Sequence, residues 1–305
     1  MGVAASMYNA NWPPKANWSV DDMPDLSNKV IIVTGGNSGI GRETVKALLN
    51  KNAKVYIAAH SQVRSEQCIQ DLKAETGHQA HFLELNLASL GSVKASAQQF
   101  QQLESKLDAL INNAGVMIPG STLFTKEGFD LQFGVNTIGH FYFTQLLLPQ
   151  LGAAGSSRVV NVSSHGHVVG QIDYDTIKDG PARDKMAPLD LYNQSKFAMV
   201  AMNSEFARRH DDKGIVFISC HPGLIVTNLG RSMSPLVVRA AGLLSYDSAK
   251  GALTQLYGAT APEASTANGK YLIPWARVGN PHPATLDPEV GAQLWSYLEE
   301  QTKNV

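Results

Sequence analysis

Cysteine is scarce in this chain. Its two, Cys68 and Cys220, lie far apart and form no metal-ligand spacing. That excludes a disulfide-built scaffold and a zinc cluster, and it is the usage of a reducing intracellular compartment. An excess of one charge is missing too. With 25 Lys+Arg against 26 Asp+Glu the formal net charge is −1, so no general attraction to nucleic acid or anionic membrane is expected. No apolar run reaches the ~18 residues that span a bilayer. The opening stretch MGVAASMYNANWPPKANWSVDD lacks a basic segment followed by an apolar core, so no secretory signal is read and a cytoplasmic location is expected. Without such a signal the sequons at Asn17 and Asn161 read as accidental. Gly2 and Ser6 fit the loose myristoylation pattern, a motif too short to carry weight alone.

What the chain does have is a core. Of its 305 residues 44% are hydrophobic, and they fall into short β-branched runs alternating with helical stretches. KVIIVTG, AKVYIAA, AHFLEL, LDALIN, SRVVNVSS, GIVFISC and GKYLI read as strands. Between them helices are expected near 39–50, 64–75, 92–103, 126–148, 189–210 and 248–257, with a last one at 288–301. This alternation predicts a single-domain doubly wound α/β fold, a parallel (Rossmann) sheet with helices on both faces. Residues 1–27, rich in Asn, Pro and Trp, read as an irregular arm with Trp12, Pro13 and Pro14 outside the domain, which spans 28–305. Ligands of such sheets bind outside the carboxyl ends of the strands, so the strand-end segments carry the functional reading.

The first strand ends in TGGNSGIG, Thr34 to Gly41. Glycines permit a tight turn and let a pyrophosphate approach the backbone, and the N–H groups opening the next helix face that anion. The spacing is G-x-x-x-G-x-G at Gly35, Gly39 and Gly41, with Asn37, Ser38 and Ile40 among them, rather than the commoner G-x-G-x-x-G. Alone it is weak; between a first strand and a first helix it points to a dinucleotide. Further on, LYNQSKFAMV sets Tyr192 four residues before Lys196, on one helix face. A free tyrosine titrates near ~10. An adjacent ammonium favours the phenolate, and a phenol so lowered can trade protons with an alcohol or ketone. Taken alone, a surface helix carries such a pair by chance.

TGGNSGIG, the NNAG at Asn112–Gly115 and the YNQSK at Tyr192–Lys196 occur in the order and spacing of the short-chain dehydrogenase/reductase family, over roughly residues 28–275. The HPG at His221 and the wide gap between serine and tyrosine resemble the retinol-dehydrogenase-like branch. The resemblance implies a catalytic serine, best matched by Ser164 in VNVSS with Ser163 as competitor, whose hydroxyl holds the substrate oxygen. It implies Tyr192 as acid/base, Lys196 as the group that lowers its pKa and binds the nicotinamide ribose, and Asn136 of FGVNTIGH as support for a water chain behind the lysine. Asn113, Ala114 and Gly115 would line the cofactor, and Pro222, Gly223 and Thr227 would engage the carboxamide. Packing of the Asn136 and Tyr192 helices in a homodimer is implied as well. His165 and His167 have no carboxylate or cysteine partner nearby, so they are expected to line the pocket or be exposed, and no metal is expected.

The chain departs from the family at the adenine end. The second strand closes on Ala59, His60 and Ser61, without the acid that binds ribose hydroxyls in NAD-selective relatives. This favours NADP(H) over NAD(H), although His60 replaces the arginine usual in this branch. Asn86, followed by Leu87, replaces an aspartate beside the adenine. The expected function is alcohol–carbonyl interconversion on a hydrophobic small molecule. The alternative is a catalytically silent, dinucleotide-sensing protein on the same fold. The apolar stretch at 228–245 reads as a substrate lid.

Overall fold

Every apolar run read as a strand becomes part of one sheet. The computed structural model describes residues 13–120, 123–225 and 246–305. Its strands are β1 (Val30–Thr34), β2 (Lys54–Ala59), β3 (His81–Glu84), β4 (Ala109–Asn112), β5 (Ser157–Val162), β6 (Ile215–Cys220), β7 (Tyr271–Ile273) and β8 (Arg277–Gly279). They line up as an 8-stranded sheet in the order β3-β2-β1-β4-β5-β6-β7-β8. Neighbours are parallel except β8, which returns antiparallel to β7 and was not expected from the sequence. The chain reverses direction across the sheet between β1 and β4, so their carboxyl ends open the crevice where such folds take ligands.

Helices cover both faces: α1 (Gly39–Asn50), α2 (Gln62–Thr76), α3 (Leu90–Leu103), α4 (Leu131–Phe133), α5 (His140–Ala153), α6 (Pro181–Lys185), α7 (Pro188–Arg209), α8 (Ser248–Thr260) and α9 (Pro288–Thr302). The period-2 alternation of β1 divides its side chains between two cores. Ile31 and Val33 pack with Val45 and Leu48 of α1 and Leu256 of α8. Val30 and Ile32 pack with Phe100 of α3, Phe141 of α5 and Phe206 of α7. Trp18, Met23 and Leu26 belong to the first of these cores, Trp18 edge-on to Tyr257 at 5.5 Å. No helix among the described residues is long and apolar enough to cross a membrane.

One helix expectation needs correction. The helix read over 126–148 starts later and is interrupted. Asp130 accepts from the Gln132 and Phe133 amides, opening α4, and Gly134–Gly139 then form a π-helical turn that leads into α5. Periodicity does not register a π turn, because the apolar residues continue through it. The long helices are also covered within the chain. Leu191 to Ala207 of α7 are all buried, and Trp295 of α9 lies edge-on to Phe141 (5.1 Å) and Phe206 (4.8 Å). The Arg209 guanidinium covers the Trp295 ring at 4.5 Å. The chain's own last helix thus packs on α5 and α7.

Trp295→Ala is therefore expected to destabilise the protein by about 3–5 kcal/mol, the usual cost of emptying a buried aromatic site. A lowered urea midpoint at unchanged slope would report it; a midpoint within error of the parent would mean that α9 contributes little.

Candidate active site

The glycine turn is bolted to the end of β4. Gly35 adopts φ +66°, and its amide donates to the Ala58 carbonyl of β2 at 2.8 Å. A Cβ on Gly41 would lie 2.3 Å from the Gly35 oxygen and 2.6 Å from Asn113 Nδ2, so only glycine fits there. The Asn113 and Ala114 amides both donate to Thr34 Oγ1 at 2.9 Å, and Asn113 Nδ2 donates to the Thr34 carbonyl at 2.9 Å. Asn37 Nδ2 reaches Ser65 Oγ of α2 at 3.1 Å. Ser38 is the N-cap of α1, yet its hydroxyl makes no capping bond. Gly39 and Ile40 open that helix, its first N–H groups at the crevice.

At the end of β5 the two serines divide their work. Ser163 is buried and its hydroxyl donates to the Lys196 carbonyl at 2.8 Å, so it is spent on holding α7. Ser164 is half-buried and its hydroxyl faces the Tyr192 phenol. Lys196 Nζ donates to the Val162 carbonyl at 2.9 Å and stands 5.9 Å from the centre of the Tyr192 ring. Ser164, Tyr192 and Lys196 thus meet at the sheet edge. The electrostatics differ from the sequence expectation. Burial pushes the Tyr192 phenol up to about 12, against a smaller lowering by the Ser164 hydroxyl. Burial also pushes the Lys196 ammonium down to about 8. Removing both groups from water opposes charge on each, and that outweighs the ammonium's expected pull on the phenol.

Asn136 sits in the π turn, fully buried. Its side chain clamps the backbone of Val116, accepting from the amide at 2.9 Å and donating to the carbonyl at 3.1 Å, and it also donates to Ser195 Oγ at 2.9 Å. A Cβ on Gly115 would lie 3.2 Å from Asn136 Oδ1 and 3.6 Å from Lys196 Nζ, which puts these groups around one point. The Asn136 side chain is a strut between the NNAG segment and α7, where the family pattern implied support for a water chain. π turns recur where a side chain must be re-aimed at a site.

The remaining predicted positions surround this centre. Asn86 Oδ1 accepts from its own neighbour's amide, Ala88 N, at 3.0 Å, leaving its amide nitrogen toward solvent. Leu87 is buried, its carbonyl 2.8 Å from where a Cβ of Gly139 would stand. At the end of β2, His60 is exposed and its Nε2 lies 3.2 Å from the Arg64 guanidinium, while Ser61 is the N-cap residue of α2. Past β6, the Gly223 amide donates to His221 Nδ1 at 3.2 Å, and Pro222 lies between them. Thr227 and the lid at 228–245 lie outside the described residues. Ile225 and Tyr246, which flank the undescribed residues, form a parallel bridge.

Of the two loop histidines, His167 is buried rather than exposed, with Nδ1 2.7 Å from the Ser164 carbonyl; burial holds it neutral, at about 4. His165 is half-buried and edge-on to His221 at 5.7 Å. Among the described residues no group of His, Cys, Asp and Glu could hold a metal. Sequence reading passed over one contributor. Gln255 of α8 reaches both Thr44 Oγ1 (2.6 Å) and Asn113 Oδ1 (3.3 Å), but it lies too far along the chain for any local pattern to reveal this. Arg64, by contrast, stands four residues after His60, a spacing visible in the sequence.

A family model described as short chain dehydrogenase matches residues 29–237. A short-chain dehydrogenase/reductase of Armillaria gallica is 48% identical over 100% of both chains. Human retinol dehydrogenase 13 is 36% identical over 89% of this chain and 83% of its own. Among solved structures, an uncharacterised protein of Mycobacterium paratuberculosis matches with a TM-score of 0.77 at 29% identity, over 94% of this chain and 98% of that one. With the glycine turn, the NNAG segment and the Ser164–Tyr192–Lys196 group converging on one strand edge, the chain belongs to the short-chain dehydrogenase/reductase family, in its retinol-dehydrogenase-like branch.

Proposed function

We propose that the protein is an NADP(H)-dependent oxidoreductase that interconverts an alcohol and a ketone or aldehyde on a hydrophobic small molecule. The observation that carries this reading is the convergence of Ser164, Tyr192 and Lys196, the latter two almost wholly buried. A nicotinamide cofactor supplies the hydride chemistry when bound. The chain's own residues do the rest. Ser164 holds the substrate oxygen, and Tyr192 moves the proton to or from it. A phenol held near 12 is a proton donor at neutral pH, which suits carbonyl reduction. Lys196, at about 8, is cationic at pH 7 and favours negative charge as the phenol gives up its proton. A dinucleotide sensor without turnover has no use for a buried ammonium and phenol, each disfavoured by desolvation.

The cofactor reading rests on the end of β2. Ala59 offers no carboxylate to ribose hydroxyls, and His60 with Arg64 forms a nitrogen-rich pair at the start of α2. A guanidinium there gives a 2′-phosphate the fixed, forked donors that an imidazole lacks. For the substrate, Val169 after Ser164, Leu189 ahead of Tyr192 and Leu224 after Gly223 are exposed large apolar side chains on the segments that carry the reacting groups. Such surface beside a polar centre fits an apolar molecule.

Tyr192→Phe should cut turnover of an apolar ketone by at least the ~100-fold typical of a lost general acid while leaving cofactor binding intact. Retention of most activity would remove Tyr192 from the role. As pH rises through about 8, Lys196 loses its charge, so kcat/KM for NADPH, which reports the free enzyme, should fall through that region. A profile flat from pH 7 to 10 would contradict it. Arg64→Ala and Ala59→Asp should each weaken NADPH more than NADH, by roughly tenfold for the loss of one charge-assisted contact. Equal effects on both cofactors would place selectivity elsewhere.

A further inference from the structure

His140 is the first residue of α5, fully buried, and the reaction proposed above gives it nothing to do. Its Nδ1 lies 3.0 Å from the Asn136 carbonyl and its Nε2 3.0 Å from Thr34 Oγ1. A carbonyl oxygen only accepts, so the Nδ1 must carry the ring proton. In a neutral ring that leaves Nε2 as an acceptor, and the Thr34 hydroxyl must donate to it. The hydroxyl oxygen is then free to receive its two remaining partners, the amides of Asn113 and Ala114, each at 2.9 Å. One donor and two acceptor sites are a hydroxyl's whole capacity. The competing acceptor, the Ile111 carbonyl, is farther away at 3.4 Å.

The ring thereby joins two clamps on one segment. Thr34 grips Asn113 and Ala114, and Asn136 grips Val116 through both its amide and its carbonyl. His140 holds the hydroxyl of the first clamp and the backbone of the second. Between them runs the NNAG backbone that closes on the glycine turn, where a Cβ on Gly35 would meet the Ala114 Cα at 3.1 Å. We infer that His140 is a positioning residue, which with its proton on Nδ1 orients the Thr34 hydroxyl and so sets the Asn113–Val116 backbone against the glycine turn for the dinucleotide. This rests on family membership and the dinucleotide site, not on the proposed substrate or reaction.

An added proton would undo the arrangement. Nε2–H would then point at Thr34 Oγ1, already full with two amides, and one of those bonds would have to break. Burial keeps the ring neutral, lowering it to about 4 against the opposing bond to the Asn136 carbonyl, and the Lys196 ammonium adds to the lowering. Among the described residues, Lys196 is the charged group that acts on it.

Two measurements on the full chain test the inference. In a spectrum of the 15N-histidine-labelled protein, with the signal assigned by its loss in His140→Phe, the ring should be neutral with Nδ1 protonated from pH 9 down to pH 5. The Nε2–H tautomer, or an imidazolium at pH 6, overturns it. The second is a double-mutant cycle read by NADPH and NADH fluorescence titration. Thr34→Val and His140→Phe should each weaken binding about tenfold, and the double variant no more than the worse single, because both act through one hydroxyl. Thr34→Ser, which keeps the hydroxyl, should bind as the parent does. Additive losses, or singles that bind normally while melting earlier, would reduce His140 to core packing. If His140→Phe does not fold, Thr34→Val supplies the assignment, since it should shift one neutral ring signal that is protonated at Nδ1; a spectrum in which no such signal shifts overturns the inference equally. Neither readout is turnover, so a wrong reaction assignment would leave both unchanged.

Discussion

The carboxyl edge of a parallel sheet is where the hydrogen-bond ladder ends, and there every buried polar group must find a partner outside it. In this protein side chains supply most of them, although Asn112 Oδ1 is left without one. Asn112 Nδ2 donates to Thr144 Oγ1 at 3.0 Å and to Asn161 Oδ1 at 2.9 Å, and Asn161 Nδ2 continues to Asn203 Oδ1 at 2.9 Å. This amide ladder crosses β4 and β5 and reaches α5 and α7. Thr34 does the same work for β1. The site depends on that edge being polar and rigid together. Ser163 can hold Lys196 by its carbonyl, leaving Ser164 to the phenol, only because β5 and α7 are already locked in register. Asn161, a sequon by pattern, is wholly buried in this ladder.

A second constraint is the cost of burying ionisable groups. Tyr192 and Lys196 are both pushed toward neutrality by loss of solvent, the phenol to about 12 and the ammonium to about 8. His167 and His140 are driven the same way and serve as neutral struts at about 4. The two roles separate by partners. The histidines have both ring nitrogens engaged by Ser164 and His282 or by Asn136 and Thr34. The ammonium has a backbone carbonyl and a methionine sulfur, the latter a weak acceptor. A buried cation so thinly compensated costs stability, and proteins retain such groups where charge is needed for chemistry.

What the sequence made legible follows from range. Strand and helix alternation is local, so it carried the doubly wound fold, and the ordered motifs carried the family. The register of the reacting group was legible as far as Ser164 against Ser163. Choosing between them required knowing that one hydroxyl points at the Lys196 carbonyl, a contact across 33 positions. β8 is short and carries one β-branched residue, Val278, so it leaves no period-2 signal. The π turn was hidden because widening a helix changes hydrogen bonding without changing hydropathy. The packing of α9 on α5 and α7 was hidden because amphipathicity tells that a face is covered, not by what, and α9 lies far down the chain.

The two ends of the crevice are built to different standards, which bears on how such a chain can diverge. The end that holds Ser164, Tyr192 and Lys196 draws on β5, the π turn, α7 and the NNAG segment, where Asn136, Ser163 and Lys196 are buried and bond to the backbone of neighbouring segments. Changing one there leaves its partner unsatisfied in a low dielectric, at about 1–3 kcal/mol per orphaned group. At the end of β2, His60 lies just before the N-cap of α2 and Arg64 in its first turn, both exposed, and Asn86 spends its oxygen on a local turn. Side chains in solvent exchange for a few tenths of a kcal/mol. Departures from the family pattern are therefore expected where they occur, at His60 and Asn86, while the buried group keeps its pattern. The exposed positions at the end of β2 are the ones this architecture leaves free to drift; the group of Ser164, Tyr192 and Lys196 is the one that the fold itself holds fixed.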